Sequence, residues 1–218
     1  IAAACHAAGY QYVGITDHSE ASAYAGGLSK DALKRQHGEI DACNRASPGL
    51  RVLRGIEADI LENGTLDYGS DFLDRFDFVI ASIHTRFEMD EKAMTKRVLK
   101  AMDDPHLAIL GHPTGRLLLD RDPYPIDMAK VIARAAERGV AIEINADPQR
   151  LDMGWQLCRE AKAAGVRIPI GADAHNVAGL ANVDLGISMA RKAGLTKDDV
   201  LNTRDVEGFL GQAQARRR

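Results

Sequence analysis

Leu107-Ala108-Ile109-Leu110-Gly111-His112-Pro113 is the stretch whose reading decides the fold. Four apolar residues make a short buried strand, and a histidine followed by a chain-breaking proline ends it. The same event recurs along the chain. Tyr12–Thr16 runs into Asp17-His18, Arg51–Ile56 into Glu57, and Phe78–Ile83 into His84. Val140–Ile144 runs into Asn145, and Val166–Gly171 into Asp173-Ala174-His175. Barrels of parallel strands gather their active sites at that end, because the loops there converge on one mouth. One such ending would carry little information; six at equivalent places define a site.

Between these runs lie helical segments. Ser29 is positioned to cap a helix reaching about Arg45, and Asp90 to Met102, Ile126 to Arg138 and Met153 to Ala164 carry helix patterns. Gly139 and Gly165 supply C-terminal turns. A further helix ends near Ala193-Gly194, and Thr196–Asp199 reads as the capped start of the last helical turns. His37 reads as a surface histidine, Lys30, Arg35 and Arg86 as surface cations, and Arg216-Arg217-Arg218 as a solvated, frayed tail. Strand and helix alternate without a linker. The pattern predicts one α/β domain over residues 1–218, a parallel βα barrel in preference to an open doubly wound sheet. No glycine-rich phosphate fingerprint follows any strand, which argues against a nucleotide-binding open sheet.

The opening residues Ile1–Gly9 resemble the last turns of a helix closed by glycine, so the reading expects a strand upstream of Ile1. With 218 residues and 45% hydrophobic composition, the chain suits one such barrel. A net charge of −3 gives no bulk attraction for nucleic acid or anionic membrane, so any such contact must be local. No apolar run approaches the ~20 residues that span a bilayer. Cys5, Cys43 and Cys158 are odd in number, lack metal-type spacing and read as free thiols, as expected of a cytoplasmic protein.

Four histidines (His18, His84, His112, His175) and two carboxylates (Glu57, Asp173) stand at strand ends. Imidazole and carboxylate are the usual ligands of catalytic zinc, manganese or iron. The set exceeds the needs of one tetrahedral ion and suggests two or three ions bridged by Glu57, an arrangement suited to phosphate-ester hydrolysis. Asp17 is expected to ligate or to orient His18. Arg116 is a candidate for bidentate capture of phosphate, with Asp120 or Asp122 as competing partners. Asn145 is a candidate to bind substrate or to hold its loop.

These residues resemble the polymerase and histidinol phosphatase (PHP) domain family. The likeness is narrowest to the C-terminal PHP domain of bacterial family X DNA polymerases. It rests on Ile15–Ser19, Gly55–Ile60, Gly64–Tyr68, Ser82–His84, Ile109–Leu118, Glu143–Ala146, Arg150–Asp152, Asp173–His175 and Val200–Thr203. The resemblance implies a distorted (β/α)7 TIM-like barrel with a trinuclear centre of divalent ions, of manganese, zinc or iron. It also implies 3′–5′ exonuclease or related phosphoesterase action on gapped or recessed DNA in base-excision repair, with polymerase domains upstream. Family ligands fall on His18, Glu57, His84, His112, Asp173 and His175. The family's opening His-x-His pair has no counterpart here, so the first strand is missing and the fragment is expected to bind metal incompletely. Gly171-Ala172 also stands where relatives often place threonine. Three other classes stay open: a histidinol-phosphatase-type enzyme for small monoesters, a metal-stabilised structural module, and, less favoured, an amidohydrolase.

Overall fold

In a computed structural model, residues 1–22 and 26–217 are described. Seven short strands form, β1 (Tyr12–Ile15), β2 (Arg51–Asp59), β3 (Phe78–Ser82), β4 (Leu107–Leu110), β5 (Ala141–Ile142), β6 (Ile144–Asn145) and β7 (Ile170–Gly171). All pairings are parallel, in the order β1-β2-β3-β4-β5 and β6-β7. β5 and β6 are two halves of one predicted strand, interrupted at Glu143. The chain there bonds to both neighbours. Glu143 N donates to Leu110 O, while Ile142 N and Ile144 N donate to Arg167 O and Pro169 O. The wall is therefore a curled half-barrel of six staves, matching the six apolar runs. Beyond β7, Asp199 O accepts from Ile168 N, and the Asn202 amide bonds both N and O of Ile170. Among the described residues β1 pairs only with β2.

Among the described residues eight α-helices form: α1 (Ala2–Ala7), α2 (Lys30–Ala46), α3 (Ser70–Leu73), α4 (Glu91–Ala101), α5 (Met128–Arg138), α6 (Trp155–Ala163), α7 (Val183–Lys192) and α8 (Val206–Ala213). Ser29, Asp90, Asp127 and Asp205 each accept the N–H three residues on, which fixes four of the helix starts. Thr196 and Asp199 do close on each other, but as an isolated turn; the last helix starts at the Asp205 cap instead.

The period of two along the strands sorts the interior. Along β2 and just past its end, Ile56, Ala58 and Ile60 face the helical layer, as do Val79, Ala81 and Ile83 along and just past β3. Their alternates point into the barrel. Low in it, Leu53, Phe78, Ile109 and Ala141 pack with Phe209 and Ala213 of α8, which crosses and seals the floor. The Phe78 ring fits because Gly14 and Gly55 face it: a Cβ at either would lie 2.4 or 2.7 Å from its Cζ. Higher on the same faces stand Glu57, Asp59, Ser82 and His84. Apolar floor and polar mouth thus share each strand.

Two sequence expectations change here. The tail is not frayed at Arg216 and Arg217; Arg218 lies outside the described residues. Arg216 Nη1 donates to Leu107 O at 2.9 Å and Nη2 to Met102 O at 2.5 Å, while Arg217 Nη1 donates to Phe76 O. Backbone carbonyls of Leu107, Met102 and Phe76 accept from these guanidinium groups. His37 is half-buried, not a surface group, with its ring edge-on to Phe76 at 4.9 Å.

Candidate metal centre

Glu57 stands at the upper end of β2, where the parallel pairing with the first stave continues one bridge further to His18. Its carboxylate lies among three imidazoles. Oε1 is 3.0 Å from His112 Nε2 and 3.3 Å from His84 Nε2, and Oε2 is 3.4 Å from His18 Nδ1. The rings form an arc, with centroids 5.1 Å apart for His112–His84, 5.0 Å for His84–His18 and 6.3 Å for His18–His175. One ligand atom each from His18, Glu57 and His84 lies within 4.8 Å of the others, close enough to hold one ion. Glu57 and His84 are buried, which removes competition from water.

The charges follow from this packing. Burial alone would raise the Glu57 carboxyl, but hydrogen bonds from His112 and His84 hold it well below the ordinary carboxylate range. Burial opposes a proton on His84, yet its bonds to Asp59 and Glu57 raise it to about 9. Burial lowers His18, against the pull of Glu57. Three nitrogens and a carboxylate thus crowd one point.

Asp59 was not singled out in the sequence. It follows Glu57 by two residues, so the pleat turns it to the same interior face. Its Oδ1 is 2.5 Å from His84 Nδ1 and accepts from Ser22 Oγ at 2.5 Å. This carboxylate leaves His84 Nε2 facing Glu57, the arrangement that orients an imidazole toward a metal. Buried Arg97 of α4 locks the flanking backbone by donating to Ile60 O, Leu61 O and Thr85 O, next to Asp59 and His84.

Glu143 was also missed, and the same period of two could have found it from Asn145. Its Oε2 accepts His112 N at 3.0 Å, where His112 itself sits at φ +21°. Burial, with Asp173 and Glu57 nearby, pushes the carboxyl up to about 8 despite that bond. Gly171 makes room for it: a Cβ there would lie 2.0 Å from Oε1. The carboxyl of Asp152, wholly buried and raised by that burial, accepts Thr114 N at 2.9 Å and fixes the loop after His112.

The remaining expected residues divide. Asp173, at φ +50°, accepts from Asn145 Nδ2 at 3.0 Å, and Asn145 Oδ1 accepts Asp147 N at 3.0 Å. Asn145 is therefore engaged in holding Asp173 and its own loop. His175 Nδ1 donates to Asp173 O at 3.0 Å, and its ring is largely exposed beside His18. The Asp17 carboxylate turns away to the Gln36 amide on α2, and only its backbone carbonyl, accepting Glu57 N, serves the centre. Arg116 is likewise spoken for, donating to the carbonyls of Arg150 and Leu151 and to neither Asp120 nor Asp122. The guanidinium that reaches the cluster is Arg150, with Nε 3.5 Å from Asp173 Oδ2. Arg116 shapes the loop that presents it.

No protein-family model matches the chain. Over 213 residues it is 44% identical to the DNA polymerase/3′-5′ exonuclease PolX of Bacillus subtilis (strain 168), covering 96% of this chain and 37% of that protein. A probable phosphatase of Thermoanaerobacter sp. (strain X514) is 32% identical over 205 residues, 89% of this chain and 79% of its own length. Among solved structures, histidinol phosphate phosphatase from Lactococcus lactis, complexed with zinc, L-histidinol and phosphate, superposes with a TM-score of 0.54 at 16% identity, over 89% of this chain and 86% of that one. That likeness speaks for the fold. The chain spans little more than a third of PolX and most of the phosphatase.

Proposed function

The chain belongs to the polymerase and histidinol phosphatase family of metal-dependent phosphoesterases, and on that premise we propose that it hydrolyses phosphodiesters at the 3′ ends of gapped or recessed DNA as a 3′–5′ exonuclease. The observation that carries this reading is the Glu57 carboxylate set among His18, His84 and His112 at one mouth. The 44% identity to PolX favours DNA over other esters. By that likeness, polymerase domains and a place in cytoplasmic base-excision repair belong to the full-length protein. No helix among the described residues is long and apolar enough to cross a membrane.

The donor set fits divalent ions. His112 Nδ1 is buried with no hydrogen-bond partner among the described residues, and the Glu57 carboxylate lies against three imidazoles, so a cation would be held among these groups. His18, Glu57, His84 and His112 would hold two or three ions, of manganese, zinc or iron, with Asp173 and His175 completing the set. Bound ions supply an activated water and offset charge on the phosphate oxygens. The chain's own residues do the rest. Asp59 and Arg97 keep His84 aimed, Glu143 and Asp152 fix the His112 loop, and Asn145 aims Asp173. Arg150, a half-buried guanidinium at the cluster beside Asp173, is placed to pair with a phosphate in bidentate fashion. Asp17 and Arg116 act in this scheme through backbone and loop contacts, without touching the reacting phosphate.

A second reading, a small-molecule phosphatase, has the support of the relatives described as probable phosphatases, one of them matched over 79% of its length. The test is full-length protein with Mn2+, offered a 3′-recessed duplex and p-nitrophenyl phosphate in parallel. Release of mononucleotides from the 3′ end at a kcat/KM well above that for the monoester is expected. Monoester hydrolysis without nucleotide release would refute the nuclease reading in favour of the second.

A further inference from the structure

We propose that the hairpin tip Leu118-Leu119 is a nucleobase contact at the rim of the centre, packing against the base beside the phosphate under attack. This rests on the nuclease reading and deepens it. The tip lies six and seven residues beyond His112 on the loop that follows β4, at the strand end where the ligands gather. Both leucines are exposed, Leu119 fully so. Leu119 also takes φ +66°, a left-handed backbone in which glycine or asparagine is the ordinary occupant. Exposure and strain together leave this side chain with no internal packing to explain it.

The hairpin is held rigidly. Leu117 and Arg121 exchange backbone hydrogen bonds at 2.8 Å, and the Arg121 side chain donates to Gly115 O while lying 4.0 Å over the Phe87 ring. Leu118 N donates to Gln149 O, tying the tip to the loop that carries Arg150 to Asp173. Static contacts therefore run from the apolar tip through Gln149 and Arg150 to Asp173. A firmly mounted apolar group next to a phosphate site suits a base face, since proteins commonly set leucine and similar wedges against base steps. A protein partner is the poorer occupant. A stable interface buries roughly 800 Å² on each side, far beyond two leucines.

The test uses full-length protein with Mn2+ and the variants Leu119→Gly and Leu118→Ser. Substrates are a 3′-recessed duplex and bis(p-nitrophenyl) phosphate, a diester without a base. Leu119→Gly suits the left-handed backbone, so it should melt no lower than wild type. Both variants should lose roughly tenfold in kcat/KM on DNA, mainly through KM, and keep wild-type rates on the baseless diester. Wild-type kinetics on DNA would overturn the proposal. So would an unchanged DNA rate accompanied by weakened self-association, which would make the tip a protein contact. If wild type cleaves only the baseless diester, the nuclease reading itself fails and the base contact falls with it.

Discussion

Replacing Asp59 by asparagine isolates how far the carboxylate behind His84 supports metal binding. Asp59 Oδ1 accepts from both Ser22 Oγ and His84 Nδ1 at 2.5 Å in a buried setting. Asparagine is nearly isosteric and keeps an oxygen there, so shape and packing stay and the charge is lost. A hydrogen bond to a charged group contributes about 1.5–3 kcal/mol and a neutral one about 0.5–1.5 kcal/mol. The difference, ~1–1.5 kcal/mol, corresponds to about tenfold in affinity. That falls at the lower edge of the roughly 10–100-fold known for partners of metal-bound histidines. The assay is competition for Zn2+ and Mn2+ against a chromophoric chelator, using full-length Asp59→Asn protein, with melting in EDTA to confirm folding. Tenfold weaker metal binding in a folded variant is expected. Wild-type affinity would refute the claim that Asp59 orients His84.

Three further outcomes follow from the geometry. In metal-free protein, the raised pKa of His84 gives stability that is complete below about 6.5 and is lost as pH rises through about 9. The raised carboxyl of Glu143 works the same way, costing more as pH climbs from the ordinary carboxylate value toward about 8. Melting in EDTA should therefore drop between pH 6.5 and 9, and a rise over that window would contradict the assignment. Gly171→Ala would set a Cβ 2.0 Å from Glu143 Oε1; overpacking of about 1–3 kcal/mol should lower the melting temperature by several degrees, and an unchanged melt would show that Glu143 has room to move. Arg216→Ala removes two charged donors from Leu107 O and Met102 O. A loss of about 1–3 kcal/mol in urea unfolding is expected, with a null effect showing the tail to be free in solution.

Much of the centre was legible because a strand's end is written locally. An apolar run closed by His18, Glu57, His84, His112 or Asp173 needs no knowledge of the rest of the chain. Asp59 and Glu143 were equally accessible, two residues from Glu57 and Asn145 on the same pleated face, had alternation been carried past the apolar stretch. Arg116 and Arg150 differ in kind. Which of two arginines reaches the cluster depends on how two loops cross, and the contact of Arg116 with the Arg150 and Leu151 carbonyls spans 34 and 35 residues. The same holds for the tail. Arg216 and Arg217 look solvated by composition, yet the barrel floor offers unpaired carbonyls more than 100 residues away.

The division of each strand into an apolar lower part and a ligand-bearing upper part has an evolutionary corollary. Leu53 and Phe78 secure the fold from below, while Glu57, Asp59 and His84 sit a few residues higher and contribute little to that packing. Substitution in the loops that follow the upper tier can therefore redraw substrate preference while the two tiers keep the metal site and the fold. A scaffold so partitioned can be handed from one phosphate ester to another in small steps, each passing through a stable intermediate.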